Sequence, residues 1–221
     1  MSLLQKIPSA KLMLAAVFTF ASFPLATLAA RIELLHFRFS FLILIFAALV
    51  SFILLVISVL KLSRAQQGEG KPLIIAIALT LIPLAVMGSN VIKVKQHPFI
   101  HDITTDFNNV PEFIAAKKDR KPEDHATEYE GEAISTLQQQ GYPDLKPLML
   151  DLPTSDALAK AESLVKERGW DILATQSENL PFTIEAVVTS ALFGFKDDVI
   201  VRIREENGQT RLDMRSMSRQ G

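Results

Sequence analysis

Three stretches early in the chain carry no charged residue for long enough to cross a bilayer, and no other feature restricts the fold as much. They cover residues 12–30, 39–60 and 72–92, which is 19, 22 and 21 residues. At 1.5 Å per residue such helices reach roughly 28–33 Å, against a hydrocarbon core of about 30 Å. A soluble helix would show polar residues on one face with a 3.6-residue period. The second stretch, FSFLILIFAALVSFILLVISVL, is apolar on every face. Its only polar side chains are Ser40, Ser51 and Ser58, whose hydroxyls are expected to bond to the preceding turn. The third contains Pro83 and ends in Gly88-Ser89-Asn90, so a kink and early fraying are expected. The first, bent by Pro24, has a rival reading as a signal peptide. Lys6 and Lys11 precede it and small residues end it. A retained helix is favoured, because the run is longer than a signal core and lacks a terminal Ala-x-Ala.

The formal net charge of −1 hides an asymmetry. Residues 1–95 hold nine Lys/Arg and two acids, whereas residues 96–221 hold fourteen and twenty-two. The expected organisation is therefore a transmembrane region over 1–95 and a soluble, acidic domain over 96–221. An acidic domain argues against nucleic-acid binding, which needs a positive surface. The chain has no cysteine, so disulfides, thiolate metal sites and a cysteine nucleophile are excluded. No ionisable residue lies inside the three stretches, which favours an anchor over an ion pathway. Ser51, Asn90 and the two prolines are candidates for contacts between helices. The flanks hold Lys6, Lys11, Lys61, Arg64 and Lys71 on one side and Arg31, Arg38, Lys93 and Lys95 on the other. That bias places the N-terminus in the cytoplasm of a bacterial cell and the acidic domain in the periplasm, beyond a multi-pass inner-membrane anchor. The only Trp and both Tyr fall in the soluble part, so the usual interfacial aromatic belt is missing.

The soluble part begins with an extended strap over 96–112, because Pro98 disfavours helix at His97. Residues 115–132 are charged and lack apolar periodicity, which suggests an exposed loop with a short helical turn. A short helix over 132–140 is expected to end at Gly141, and a strand start is expected at 148–150. A helix follows, capped by Thr154 or Ser155, with a buried stripe of Leu158, Ala161, Leu164 and Val165 and a stop at Gly169. Strands are expected over 170–176, 182–192, 199–205 and 210–216, and Asn207-Gly208 marks a hairpin turn between the last two. Val199, Val201 and Ile203 alternate with Ile200, Arg202 and Arg204, giving one apolar and one mixed face. The fold class is an α-helical membrane anchor of three spans plus an α+β domain, with a helix packed on a mainly antiparallel sheet.

Five segments in order, PFIHDITTD, YPDLKP, GW, FGFKDDVIVRI and RSMSRQG, resemble the DUF1499 family of uncharacterised proteins over about residues 97–221. The resemblance implies hydrophobic N-terminal helices and a set of positions, and it carries no reaction. Two departures stand out. Val110-Pro111 occupies a place where the family tends to have two prolines. Members also continue past the Ser-Arg-x-Gly segment into a helix with a SDLGxNAxRI-like run, whereas this chain stops at Gly221, so part of the sheet is expected to be uncovered.

Several residues invite a functional reading. His97, His101 and Asp102, with Asp106 and His125 as helpers, suggest a metal site, but His-x-x-x-His suits zinc on a helix and Pro98 spoils that geometry. A strap bonded to the neighbouring sheet is the simpler reading, and neither metal nor cofactor is expected. Asp197-Asp198 suggest acid–base chemistry, but neighbouring strand residues point to opposite faces. They fit better as turn formers paired with Arg202 or Arg215. His101, Asp102 and Asp198 are the weak catalytic candidates. Arg202, Arg204, Arg211 and Arg215, with Asp213, Ser216 and Ser218, are expected to form a polar patch on the last hairpin. Within it Arg202, Arg204, Arg215 and Ser216 are the candidates for an anionic ligand. Trp170, Phe193 and Phe195 read as core, with room for an apolar pocket between helix and sheet. No phosphate loop, Gly-x-Gly-x-x-Gly or Gly-x-Ser-x-Gly is present. The leading expectation is a non-catalytic binding or assembly module of the cell envelope, whose partners are the bilayer and an envelope protein. The alternatives are a binder of lipid or another amphiphile, and a hydrolase-like enzyme.

Overall fold

The computed structural model describes residues 6–220. The chain divides into two compact units, a helical one ending at Gln96, with which Leu192–Gly194 is grouped, and a second made of the rest of the chain from His97.

In the helical unit, α1 spans Ser9–Arg31, α2 Phe37–Leu62 and α3 Gly70–Gln96. Among the described residues, these three helices are long and apolar enough to cross a membrane. Their packing follows a seven-residue repeat of mostly small side chains. On α2 the buried residues are Ser40, Leu44, Ala47, Ser51, Leu54, Ser58 and Lys61, spaced alternately four and three apart. On α3, Leu73, Ala76, Thr80 and Pro83 follow the same rule, and so do Ser9, Leu12 and Ala16 on α1. A 3.5-residue period keeps one seam facing its neighbours, and small residues let the backbones approach. The large side chains face outward, with Phe18 68 % and Phe46 69 % exposed, the reverse of a water-soluble bundle. The hydroxyls of Ser40, Ser51 and Ser58 have no hydrogen-bond partner, in contrast to the bonds to the preceding turn expected for them. The helix α3 also does not fray at Gly88-Ser89-Asn90. The side chains of Ser89 and Asn90 both donate to the Val86 carbonyl at 2.8 Å, which ties that turn back onto the helix. One end of the bundle is clasped by buried Lys61, which donates to the Ile7 carbonyl at 2.6 Å and pairs with Glu69 at 2.9 Å.

In the second unit, β1 (Asp102–Thr104), α4 (Ala115–Asp119), α5 (Glu132–Gly141), β2 (Leu148–Leu150), α6 (Thr154–Glu167), β3 (Asp171–Gln176), β4 (Phe182–Thr189), β5 (Lys196–Glu206) and β6 (Gln209–Ser218) follow in order. They form one antiparallel sheet, ordered β1-β6-β5-β4-β3, with β2 also paired to β6. The turn between β5 and β6 is the expected one: Asn207 and Gly208 both have positive φ, which a two-residue hairpin turn of this hand requires.

The α6 face of the sheet is the apolar core. Ala157, Ala161 and Val165 pack on Ile184, Ala186, Val201 and Ile203. The helix departs from expectation in two details. Its N-cap is Pro153, with no side-chain cap, and Leu164 is exposed while Ala157 takes its place in the stripe. Small residues at the contact let the helix sit close to the sheet. Gly169, at φ +68°, ends α6, and the Trp170 N–H reaches back to the Val165 carbonyl at 3.1 Å.

The segment 115–132 is the largely exposed loop with a short helix, α4, that was expected, yet with Phe113 just before it the segment also covers the opposite face. There Phe113 and Ala116 pack on Ile200 and Met217. Most other side chains on that face are charged, so the segment that covers it is itself polar and shows no apolar period.

Candidate functional site

Strand alternation sends Asp198, Ile200, Arg202 and Arg204 of β5 and Arg211, Asp213, Arg215, Met217 and Arg219 toward the polar face. The register places Arg202 opposite Asp213 and Arg204 opposite Arg211. Two arginines side by side on adjacent strands would repel. The strap resolves this by inserting Asp106 among them. Its Oδ2 accepts from Arg202 at 3.0 Å, Arg204 at 2.9 Å and Arg211 at 3.0 Å. Asp213 then accepts from Arg202 at 2.8 Å and from Arg211 at 2.9 Å. Burial by itself would raise the Asp106 carboxyl. The backbone N–H groups of Asn109 and Asn108, with Arg211 and Arg202, outweigh it and hold the group below the usual carboxylate range.

Two further clusters complete the face. Arg215, only 2 % exposed, clamps Asp102 with two bonds of 3.0 and 2.7 Å and donates to the carbonyls of Pro111 and Thr127. Its guanidinium lies over the rings of Phe113 and Tyr129, at 4.8 and 5.5 Å. Asp198, fully buried, takes Arg120 at 2.6 Å and Arg219 at 2.6 Å. Arg120 also donates to the carbonyls of His125 and Met217, and Arg219 to Asp119. Buried Glu185 accepts from the N–H groups of Ile114, Ala115 and Ala116 at 2.9–3.1 Å, a cap for α4 supplied from β4.

The residues singled out from sequence thus separate into groups. Asp102 and Arg215 meet each other. Arg202 and Arg204 meet at Asp106 and Asp213. Asp198 pairs with Arg120 and Arg219, rather than with Arg202 or Arg215. Ser216 stands opposite Val199 and so lies on the α6 face, apart from the arginines. His97 stacks on Tyr142 at 5.4 Å, whereas His101 lies 4.9 Å from both Phe99 and His125, so His97 and His101 share no site. Among the described residues no three His, Asp or Glu side chains converge as a metal site would need.

Sequence reading missed Arg120, Arg219 and Glu185. Glu185 carried a signal: a single acid between Ile184 and Ala186 in an apolar strand needs a partner. Arg120, within a run of mixed charge, carried none.

Beside this face a groove of about 730 Å³ opens between α4 and the β3–β4 edge. Ile114, Ala115, Leu173 and Pro181 give it apolar walls, and Lys118 and Glu185 add charge. A smaller cavity of about 480 Å³ is lined by Phe113, Tyr129 and Arg215 together with Lys117 and Glu128.

A family model described as a protein of unknown function, DUF1499, matches residues 102–221. The chain belongs to this family. No curated protein and no solved structure matches it. The DUF1499 match starts at the first residue of β1 and takes in the whole sheet, both covering layers and every charged cluster described above.

Proposed function

We propose that the protein is a multi-pass membrane module of the bacterial cell envelope whose periplasmic DUF1499 domain works by binding an envelope protein. The supporting observation is the state of the candidate acids. Asp102, Asp106 and Asp198 are each engaged by one to three guanidinium groups, an arrangement that stiffens a scaffold. Such a face holds the strap and α4 in one geometry, as a binding surface requires. Cross-linking and pull-down of the full-length chain from membranes should recover a stable partner. Failure to recover one, with normal envelope integrity in a deletion strain, would count against this reading.

A second reading, binding of a lipid or other amphiphile, is favoured by the groove between α4 and β3–β4. Its size and largely apolar lining suit an acyl chain, and Lys118 offers a cation beside the acids Asp119 and Glu185. Native mass spectrometry of the full-length chain released from detergent should retain a ligand that Ala115→Trp, which fills the groove, removes. A clean unliganded mass for the unaltered protein would sink this reading.

A further inference from the structure

Two cavities of the second unit meet at one residue, Asn108. The first is the cavity of about 480 Å³ beside Arg215, where Asn108, Asn109, Glu112, Lys117 and Glu128 supply polar groups. The second, of about 550 Å³, has walls of Phe107, Tyr142, Pro143 and Leu145, with Asn108 and Gln139 as its polar groups. Each has the size of a small-molecule site, roughly 300–1,000 Å³. Neither shares a lining residue with the groove between α4 and β3–β4.

The loop that joins them is held from beneath by the buried charge hub. Asp106 Oδ1 accepts from the N–H groups of Asn108 and Asn109, both at 3.1 Å, and Arg202 donates to the Asn109 carbonyl at 2.7 Å. On the far side, the Tyr142 N–H donates to the Gln138 carbonyl at 2.7 Å, and one face of its ring stacks on His97. The backbone is thus fixed on both sides of the cleft. The carboxamides of Asn108, Asn109 and Gln139 are exposed and make no hydrogen bond to the described residues. Donors and acceptors set on a fixed backbone bind with little ordering cost.

The chemistry of the lining narrows the ligand. In the first cavity Lys117 pairs with Glu128 at 2.6 Å and Arg215 with Asp102, so two cations stand against three acids once Glu112 is counted. An anion is disfavoured there. The second cavity has no charged lining residue. A compact cation would meet Glu112 and leave the carboxamides and rings unused. A wholly apolar ligand would strip water from the carboxamides without replacing it. A ligand that spans both cavities needs many groups that donate and accept at once, as hydroxyls do, and an apolar C–H face for Phe107 and Tyr142. Sugars combine the two.

We infer that this cleft binds an uncharged oligosaccharide, with one sugar unit in each cavity and Asn108 between them. Glu112, Asn109 and the Lys117–Glu128 pair take hydroxyls in the first cavity. Tyr142 and Phe107 take the C–H face in the second, beside Gln139.

Saturation-transfer difference NMR on the full-length chain, in a detergent without a sugar head group, tests this. The probes are chitotriose, cellotriose and maltotriose, with trigalacturonic acid as the charged reference. At least one neutral trisaccharide should take up saturation from the protein. Asn108→Leu should weaken that signal several-fold, and so should Gln139→Ala, which lies on α5 and not on the strap. Neither side chain is bonded within the protein, and circular dichroism checks that both variants stay folded. Gln176→Ala, in the separate groove, should leave the signal unchanged. No transfer to any neutral trisaccharide overturns the inference. A signal that survives both substitutions, or a stronger response from trigalacturonic acid, overturns it as well.

Discussion

At the scale of single residues, the polar face depends on which side chain sits at each hub. Asp106 gathers three guanidinium groups on one oxygen. Asp106→Asn removes one of the charges shared by three arginines and leaves Asp213 and Glu206 to compensate them, so the cost stays below the ~3–5 kcal/mol of a buried pair left with no counter-charge. Thermal unfolding of the detergent-solubilised chain, followed by circular dichroism, should show a clear drop in midpoint. The pH dependence has a definite sign. The Asp106 carboxyl is lowered in the folded protein, relative to about 3.9 in an unfolded chain. Its stabilisation is complete above that unfolded value and is lost as pH falls through the lower, folded one. The unaltered protein should therefore lose more stability than Asp106→Asn as acid is added below about pH 4. A second residue-scale prediction concerns Gly141, where an added Cβ would lie 2.3 Å from Pro98 Cδ. Gly141→Ala must displace a proline ring, and the unfolding midpoint should fall by more than for Gly88→Ala, which meets no neighbour and is not held at positive φ.

At the scale of elements, the helices α1–α3 and the sheet solve packing differently. The helices bury alanine and serine and turn their leucines and phenylalanines outward. Ala76 is fully buried at the seam, so Ala76→Leu overfills it at a cost of about 1–3 kcal/mol. Ser51→Ala removes a buried hydroxyl that has no partner and should be neutral or stabilising. Resistance of the micelle-bound chain to unfolding by dodecyl sulfate should rank Ala76→Leu below the unaltered protein and Ser51→Ala at or above it. The seven-residue seam was present in the sequence, but uniform apolarity concealed it. Serine and alanine at four-three spacing, rather than hydrophobicity, were the usable signal. In the sheet, alternation along β5 correctly separated an apolar from a mixed face. What alternation along one strand did not reveal was the depth of the mixed face, because its cover comes from residues with no apolar period. Gln138 shows this: fully buried, it exchanges two bonds with the Thr104 backbone at 3.0 and 2.7 Å and occupies the outer edge of β1.

At the scale of the whole molecule, the distribution of Lys and Arg about the spans predicts a cytoplasmic N-terminus and a domain on the far side. Single cysteines at Arg64, between α2 and α3, and at Gln209, exposed at the start of β6, test this in intact cells. A membrane-impermeant maleimide should label the second and spare the first until the cells are lysed. The reverse pattern would place the DUF1499 domain in the cytoplasm and withdraw the periplasmic binding proposal.

The sequence by itself determined what local chemistry determines: three uncharged spans, the Asn207-Gly208 turn, the alternation of β5, the stop at Gly169. Each follows from a few neighbouring residues, or from the energy of placing charge in lipid. The tertiary structure alone decided how the charges pair. Asp198 could have met any of several arginines, and its partners, Arg120 and Arg219, stand 78 and 21 positions away. From sequence Asp106 reads only as a helper at a metal site, yet it is the hub of three arginines from two strands. Charged side chains of one sign are nearly interchangeable in sequence. Only strand register and the path of the strap bring a given pair within hydrogen-bonding distance, and inside a low-dielectric interior that distance decides whether a charge is tolerated.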